Sequence, residues 1–182
     1  GGRYDMGMLY YSPQIWTSDD TDAMERLPIQ EGTSLIYPPS SMGAHVSICP
    51  NHIVGRSTDF KTRGYVALAG TFGYELDITK LSDEEKELVK EQTVLYRRFI
   101  HIVREGDYYR LTSEGNLVKS PSSEHSYSWC FVAKDRSEAL LTYIQVRGNA
   151  NRRSEVIRLQ GLDDEAVYEL EDGRRFRGDE LM

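Results

Sequence analysis

Gln14-Ile15-Trp16-Thr17-Ser18-Asp19-Asp20-Thr21-Asp22-Ala23-Met24-Glu25 reads as a short strand that hands over, through a polar turn, to the start of a helix. Ile15, Trp16 and Thr17 favour extended backbone. Asp22 followed three positions later by Glu25 has capping-box form, and the acids crowd a first turn where the helix dipole is positive. Pro28 cannot donate to the carbonyl of Met24, which predicts a kink or an early end of this helix. Working outward, Gly43-Ala44-His45-Val46-Ser47 and Thr71-Phe72-Gly73-Tyr74-Glu75-Leu76 read as further short strands. Short strands alternating with helical stretches predict βα units and a parallel sheet.

The clearest helix starts at Ser82 and runs to about residue 105. Ser82 with Glu85 forms a capping box, acids occupy the first turn, and Arg97, Arg98 and Arg104 lie toward the C-terminal end. Leu88, Leu95, Phe99 and Ile102 form an apolar stripe, and Gly106 ends the helix. Residues 83–92, rich in Glu and Lys, are expected as a solvated face.

After Gly106 the pattern changes to strands and turns: Tyr108 to Leu111, Tyr127 to Val132, Ala139 to Val146 and Val156 to Leu159. Lys134-Asp135-Arg136-Ser137 reads as a hairpin loop and Asp172-Gly173 as a tight turn. Residues 113–126, with Pro121, read as the loosest loop. This predicts a second, antiparallel β domain over 106–182 after an α/β part over 1–105.

The 182 residues are 39% apolar and 28% charged, with 22 basic against 29 acidic side chains and a formal charge of −7. At about 150 residues per domain, the length allows one large domain or two small ones. This many large apolar residues argues against disorder. No run approaches the roughly 18 apolar residues of a membrane span, and an acidic balance without a basic run argues against nucleic acid as the main partner. Cys49 and Cys130 have no second cysteine or histidine at metal-ligand spacing and read as reduced packing residues, which predicts a cytoplasmic protein. The N-terminus has no signal-peptide-like apolar stretch, and its opening on Gly1-Gly2 predicts a piece of a longer protein.

The densest carboxylate cluster, Asp19, Asp20, Asp22 and Glu25, falls where strand passes to helix. In barrel enzymes active sites are built at the C-terminal ends of strands. A carboxyl group near an aromatic wall such as Trp16 suits a general acid; alternatively, the four acids only cap the helix. His45 and His52, the latter beside Asn51, lack metal partners at suitable spacing and are expected as loop or satisfied core histidines. His101 falls in the long helix and His125 in the loose loop. Twelve Tyr, five Phe and two Trp offer faces for sugar stacking, although core and sheet packing is their commoner use.

Residues 1–23, Gly1-Gly2-Arg3-Tyr4-Asp5-Met6-Gly7-Met8-Leu9-Tyr10-Tyr11-Ser12-Pro13 followed by the stretch quoted above, closely resemble the bacterial α-galactosidases of glycoside hydrolase family 36, the melibiases. The likeness continues through Ile29-Gln30-Glu31-Gly32-Thr33-Ser34-Leu35-Ile36-Tyr37-Pro38, Ser41-Met42-Gly43-Ala44-His45-Val46-Ser47 and Pro50-Asn51-His52. It resumes at Thr62-Arg63-Gly64 and Phe72-Gly73-Tyr74-Glu75-Leu76-Asp77, and ends with Gly178-Asp179-Glu180-Leu181-Met182.

The resemblance implies the C-terminal part of a (β/α)8 TIM barrel, its last strand-helix units over 1–105, followed by an antiparallel β-sandwich domain over 106–182 that lacks its last strands. It implies that Asp19, the first Asp of the Ser-Asp-Asp motif, is the general acid/base and contacts the substrate, with Asp20 a neighbour. The family's nucleophile belongs to a Lys-Trp-Asp motif, which this sequence lacks, and its Cys-Ser-Gly segment is expected just before Gly1. Pro28 stands where members often have Lys. The implied reaction is retaining hydrolysis of terminal α-galactose from oligosaccharides such as melibiose and raffinose, with no metal or cofactor, in a full-length homo-oligomer, often a tetramer. Two alternatives are a raffinose-synthase-type galactosyltransferase and a non-catalytic carbohydrate-binding fragment. A barrel takes about 250 residues. These residues alone are therefore expected to be inactive and to aggregate through an open barrel edge.

Overall fold

Ala44 and Val46, both fully buried, lie on strand β1 (Gly43–Ser47), which pairs in parallel with β2 (Thr71–Glu75) in the register Gly43↔Thr71 to Ser47↔Glu75. The computed structural model describes residues 5–111, 125–148, 150 and 155–182. The chain divides into two compact units, Gly1–Arg104 and Glu105–Met182.

In the first unit the expected strand at 14–17 is reduced to one parallel bridge, Ile15↔Met42. The Ile15 N–H donates to Ser41 and the Ile15 carbonyl accepts from Gly43, whereas the Met42 carbonyl accepts from Thr71, so Ile15 and β2 flank the β1 segment on opposite sides. The ladder stops because side chains take over beyond it. Thr17 Oγ1 accepts from the Arg26 guanidinium at 2.5 Å, and Ser18 Oγ accepts from the Asp20 N–H at 3.1 Å.

Helix α1 (Ala23–Thr33) opens on Asp22, whose carboxylate accepts from the N–H groups of Met24 and Glu25. Glu25 does not reach back as a capping box requires; it pairs with Arg56 instead. The helix does not end early at Pro28 but runs on to Thr33. Tertiary bonds from its buried face offset the lost backbone bond: Arg26 donates to the Gly43 carbonyl at 2.6 Å and Gln30 to the Val66 carbonyl at 3.1 Å.

Helix α2 (Phe60–Ala67), not read from the sequence, is capped by Asp59, which accepts from the Thr62 N–H at 2.9 Å. Helix α3 (Asp83–Glu105) carries the capping box in full: the Glu85 N–H donates to Ser82 Oγ and the Ser82 N–H to Glu85 Oε2. Gln92, expected at the end of the solvated face, is only 6% exposed. Its position four after Leu88 and three before Leu95 places it on the apolar stripe. It is satisfied there by donating to the Phe60 carbonyl and accepting from the Tyr74 hydroxyl, both at 2.9 Å. Ala44, Val46, Phe60 and Ala67 form the core beside it, with Phe72, Tyr74 and Leu88 packed on. Among the described residues no helix is long and apolar enough to cross a membrane.

The second unit contains an antiparallel sheet of β3 (Asp107–Arg110), β4 (Ser126–Val132) and β5 (Ala139–Gln145), in that order. The turn at 134–137 is closed by Asp135, whose carboxylate accepts from the Ser137 N–H and hydroxyl. A hairpin of β6 (Val167–Glu169) and β7 (Arg175–Arg177) turns at Asp172-Gly173, where Gly173 takes a φ of 83° that a side chain would disfavour. It leads into the short helix α4 (Gly178–Leu181). The expected strand at 156–159 is absent apart from a bridge at Ile157, because the Leu159 N–H donates to the Leu181 carbonyl outside any ladder. Leu111, Cys130, Val132 and Leu162 form this unit's core. Most of the loop expected at 113–126, including Pro121, lies outside the described residues, and Ser126 opens β4.

Candidate active site

The C-terminal ends of the Ile15 bridge, β1 and β2 lie at one end of the parallel sheet, so Asp19, Asn51 and Glu75 belong to segments that leave the same edge. The turn at 18–22 is held from within and below. Ser18 Oγ accepts from the Asp20 N–H, and Asp20 Oδ1 from the Asp22 N–H, both at 3.1 Å. Thr21 is buried, its carbonyl accepting from Ser47 Oγ at 2.9 Å and its hydroxyl from the Asn51 amide at 3.4 Å.

These bonds separate the four acids of the cluster. Asp22 caps α1 and pairs with Arg56, Glu25 pairs with Arg56 at 3.0 Å, and Asp20 closes the turn. Asp19 caps nothing. Its carboxylate is exposed, and Oδ1 accepts from the indole N–H of Trp16 at 3.0 Å.

His45, in the middle of β1, packs its ring against Trp16 with centroids 4.5 Å apart and planes inclined by 35°. Two glycines admit the imidazole: a Cβ at Gly43 would lie 3.1 Å from Cε1, and one at Gly73, its register partner on β2, 3.2 Å from Cδ2. Burial pushes the imidazole below the ordinary histidine range; Glu75 opposes the shift and Arg26 adds to it. His45 is thus a strand residue behind Trp16. His52 is exposed on the connection after β1, where the buried Asn51 instead organises the backbone by accepting from Ile53 and Val54. His101 is exposed on α3. Sequence reasoning missed the pairing of Trp16 with His45. The small residues Gly43 and Gly73 were its signal, each leaving room for a ring.

The arrangement can exchange a proton between one exposed carboxyl group and a molecule at the C-terminal edge, with a neutral aromatic wall beside it. Among the described residues no group of three or more His, Cys, Asp or Glu could hold a metal ion.

The family profile described as Melibiase matches residues 1–106. The chain belongs to this family. The profile of the glycosyl hydrolase family 36 C-terminal domain matches residues 126–182 of the same chain. Alpha-galactosidase AgaA of Geobacillus stearothermophilus is 53% identical to it over 182 residues, 100% of this chain and 24% of that protein. A crystal structure of a variant of that GH36 enzyme in complex with stachyose superposes with a TM-score of 0.91 at 53% identity, covering 100% of this chain and 24% of the other. A variant in complex with raffinose superposes with a TM-score of 0.90 at 50% identity, covering 99% of this chain and 24% of the other. The chain therefore spans about a quarter of the length of these relatives.

Proposed function

We propose that the protein carrying these residues is a retaining α-galactosidase and that Asp19 is its general acid/base. The observation that carries this reading is the Ser18-Asp19-Asp20 turn, which presents one exposed carboxylate at the C-terminal edge of a parallel sheet in a melibiase chain. Within this reading residues 1–105 are the last strand-helix units of a (β/α)8 barrel, and 106–182 belong to a C-terminal antiparallel β-sandwich domain. The three parallel segments at Ile15, β1 and β2 and the antiparallel strands β3 to β7 support that division.

The chemistry needs a second carboxylate about 5 to 5.5 Å from the first. That nucleophile belongs to the Lys-Trp-Asp motif, which is not in this sequence. It attacks the anomeric carbon of a terminal α-galactose while Asp19 transfers its proton to the departing glycosidic oxygen. Asp19, now a carboxylate, then takes a proton from water as the water oxygen displaces the nucleophile, and galactose leaves with its configuration retained. Raffinose and stachyose are the substrate class, on the strength of the relatives' complexes. The two free cysteines support a reducing, cytoplasmic setting, and the family resemblance supports a homo-oligomer.

The test is Asp19→Ala in the chain extended to the relatives' full length. Its kcat/KM on raffinose should fall by about 10²- to 10⁴-fold, while the first step on a nitrophenyl galactoside, whose leaving group needs no proton, is spared. Unchanged hydrolysis of both substrates would overturn the reading.

A further inference from the structure

We propose that Trp16 is a positioning residue for the proton transfer: its indole N–H orients the Asp19 carboxyl group and strengthens its hold as that group gives up its proton. The inference rests on the reading of Asp19 as general acid/base.

The geometry supports the hydrogen bond and also a reason for its persistence. Trp16 Nε1 lies 3.0 Å from Asp19 Oδ1, and donor and acceptor stand three positions apart around a turn closed independently by Ser18 and Asp20. Trp16 is 46% exposed, so the core alone does not fix its ring. The imidazole of His45 does so from one side, at 4.5 Å between centroids, and is itself seated against Gly43 and Gly73. Burial keeps that imidazole below the ordinary histidine range, so the prop behind the indole is a neutral ring.

An N–H bonded to a protonated carboxyl group makes an ordinary hydrogen bond, and one bonded to a carboxylate makes a charge-assisted bond about twice as strong. As Asp19 delivers its proton to the glycosidic oxygen, the bond from Trp16 strengthens. An interaction stronger in the transition state than before it lowers the barrier. The effect is confined to substrates whose departure needs that proton.

The experiment uses the full-length enzyme, with kcat/KM measured on raffinose and on a nitrophenyl galactoside, because kcat/KM reports the glycosylation step for both. Trp16→Phe should lower the value for raffinose about five- to tenfold and leave the activated substrate within about twofold. Replacement of Trp16 by benzothienylalanine, which keeps the ring's size against His45 but has sulfur in place of N–H, should give the same split and guards against a packing defect in the phenylalanine variant. Equal losses on both substrates, or no loss on raffinose with benzothienylalanine, would overturn the proposal. Asp19→Ala is measured alongside: if it shows the split and Trp16→Phe does not, only this inference fails, whereas no split in Asp19→Ala removes the reading beneath it.

Discussion

Asp22 receives on one oxygen, Oδ1, both the first N–H groups of α1, from Met24 at 3.0 Å and Glu25 at 3.1 Å, and the guanidinium of Arg56 from the connection after β1. Asp22 is 2% exposed and Arg56 about 40%, so a buried helix cap also anchors a surface loop. Asp22→Ala should destabilise the fold by about 2–3 kcal/mol, since it orphans two helix donors and removes the buried one of the two carboxylates that pair with Arg56. Asp22→Asn keeps an acceptor for the cap and should cost about 1 kcal/mol. Arg56→Ala should also cost about 1 kcal/mol, because the helix N–H groups still serve the carboxylate. Denaturant unfolding of the three variants would show the order.

Stability should fall in mild acid through His45. Its folded-state pKa is depressed, with burial the largest cause. As pH drops through about 6.5 the unfolded chain takes up a proton that the folded chain refuses, so stability is lost from there down to the folded pKa and is unaffected above it. Unfolding free energies between about pH 7 and pH 5 should therefore slope more steeply for the parent than for His45→Gln. Equal slopes would show that another group is responsible.

Two glycine substitutions should act in opposite directions. A Cβ at Gly70 would sit 2.6 Å from the Met42 carbonyl, which accepts the Thr71 N–H at 2.7 Å where β1 meets β2. Gly70→Ala should destabilise by about 1–3 kcal/mol, as the clash is with backbone. Gly32, in α1, has nothing within 4 Å of its Cβ position, so Gly32→Ala should stabilise by about 0.5–1 kcal/mol through helix propensity. Thermal melts of the pair would test both signs.

The two thiols should differ sharply in reactivity. Burial pushes the Cys130 thiol up to about 12, whereas Cys49 is half-buried beside the Thr58 carbonyl. At about pH 8 a disulfide reagent should label Cys49 first and reach Cys130 only once the fold is opened by denaturant, because the thiolate is the reactive form. Rapid labelling of Cys130 in the native state would contradict the burial argument.

Local chemistry was legible in the sequence. The caps at Asp22 and Ser82 and the turn at Asp172-Gly173 depend on bonds within a few residues of chain, and the strands expected at 43–47 and 71–76 on β-favouring residue types; each stands in the structure, the second strand ending at Glu75. The carboxylate cluster at 19–25 marked a candidate site by its residue types, and the family resemblance picked Asp19 out of the Ser18-Asp19-Asp20 motif. Helix α2 is not legible in the sequence although Asp59 and Thr62 carry a local capping signal, because its Gly64 weakens the helical pattern.

Other features depended on partners distant in the chain. Local rules made Pro28 a kink or an early end and residues 14–17 a strand, but Arg26 and Gln30 reach across to Gly43 and Val66 to carry α1 onward, and Arg26 takes Thr17 away from the ladder. Gln92 looked solvated by composition and is buried because the Phe60 carbonyl and Tyr74 hydroxyl wait for it. The sequence by itself determined the caps of α1 and α3, the tight turns and the apolar stripe of α3, since capping, turn chemistry and apolar periodicity act over a few residues, and its family resemblance singled out Asp19. Only the tertiary structure decided that Asp22, Glu25 and Asp20 hold the turn and helix, and that Asp19 faces outward under the indole of Trp16 with His45 behind it. Those roles follow from parallel register and close packing between segments, which no local pattern encodes.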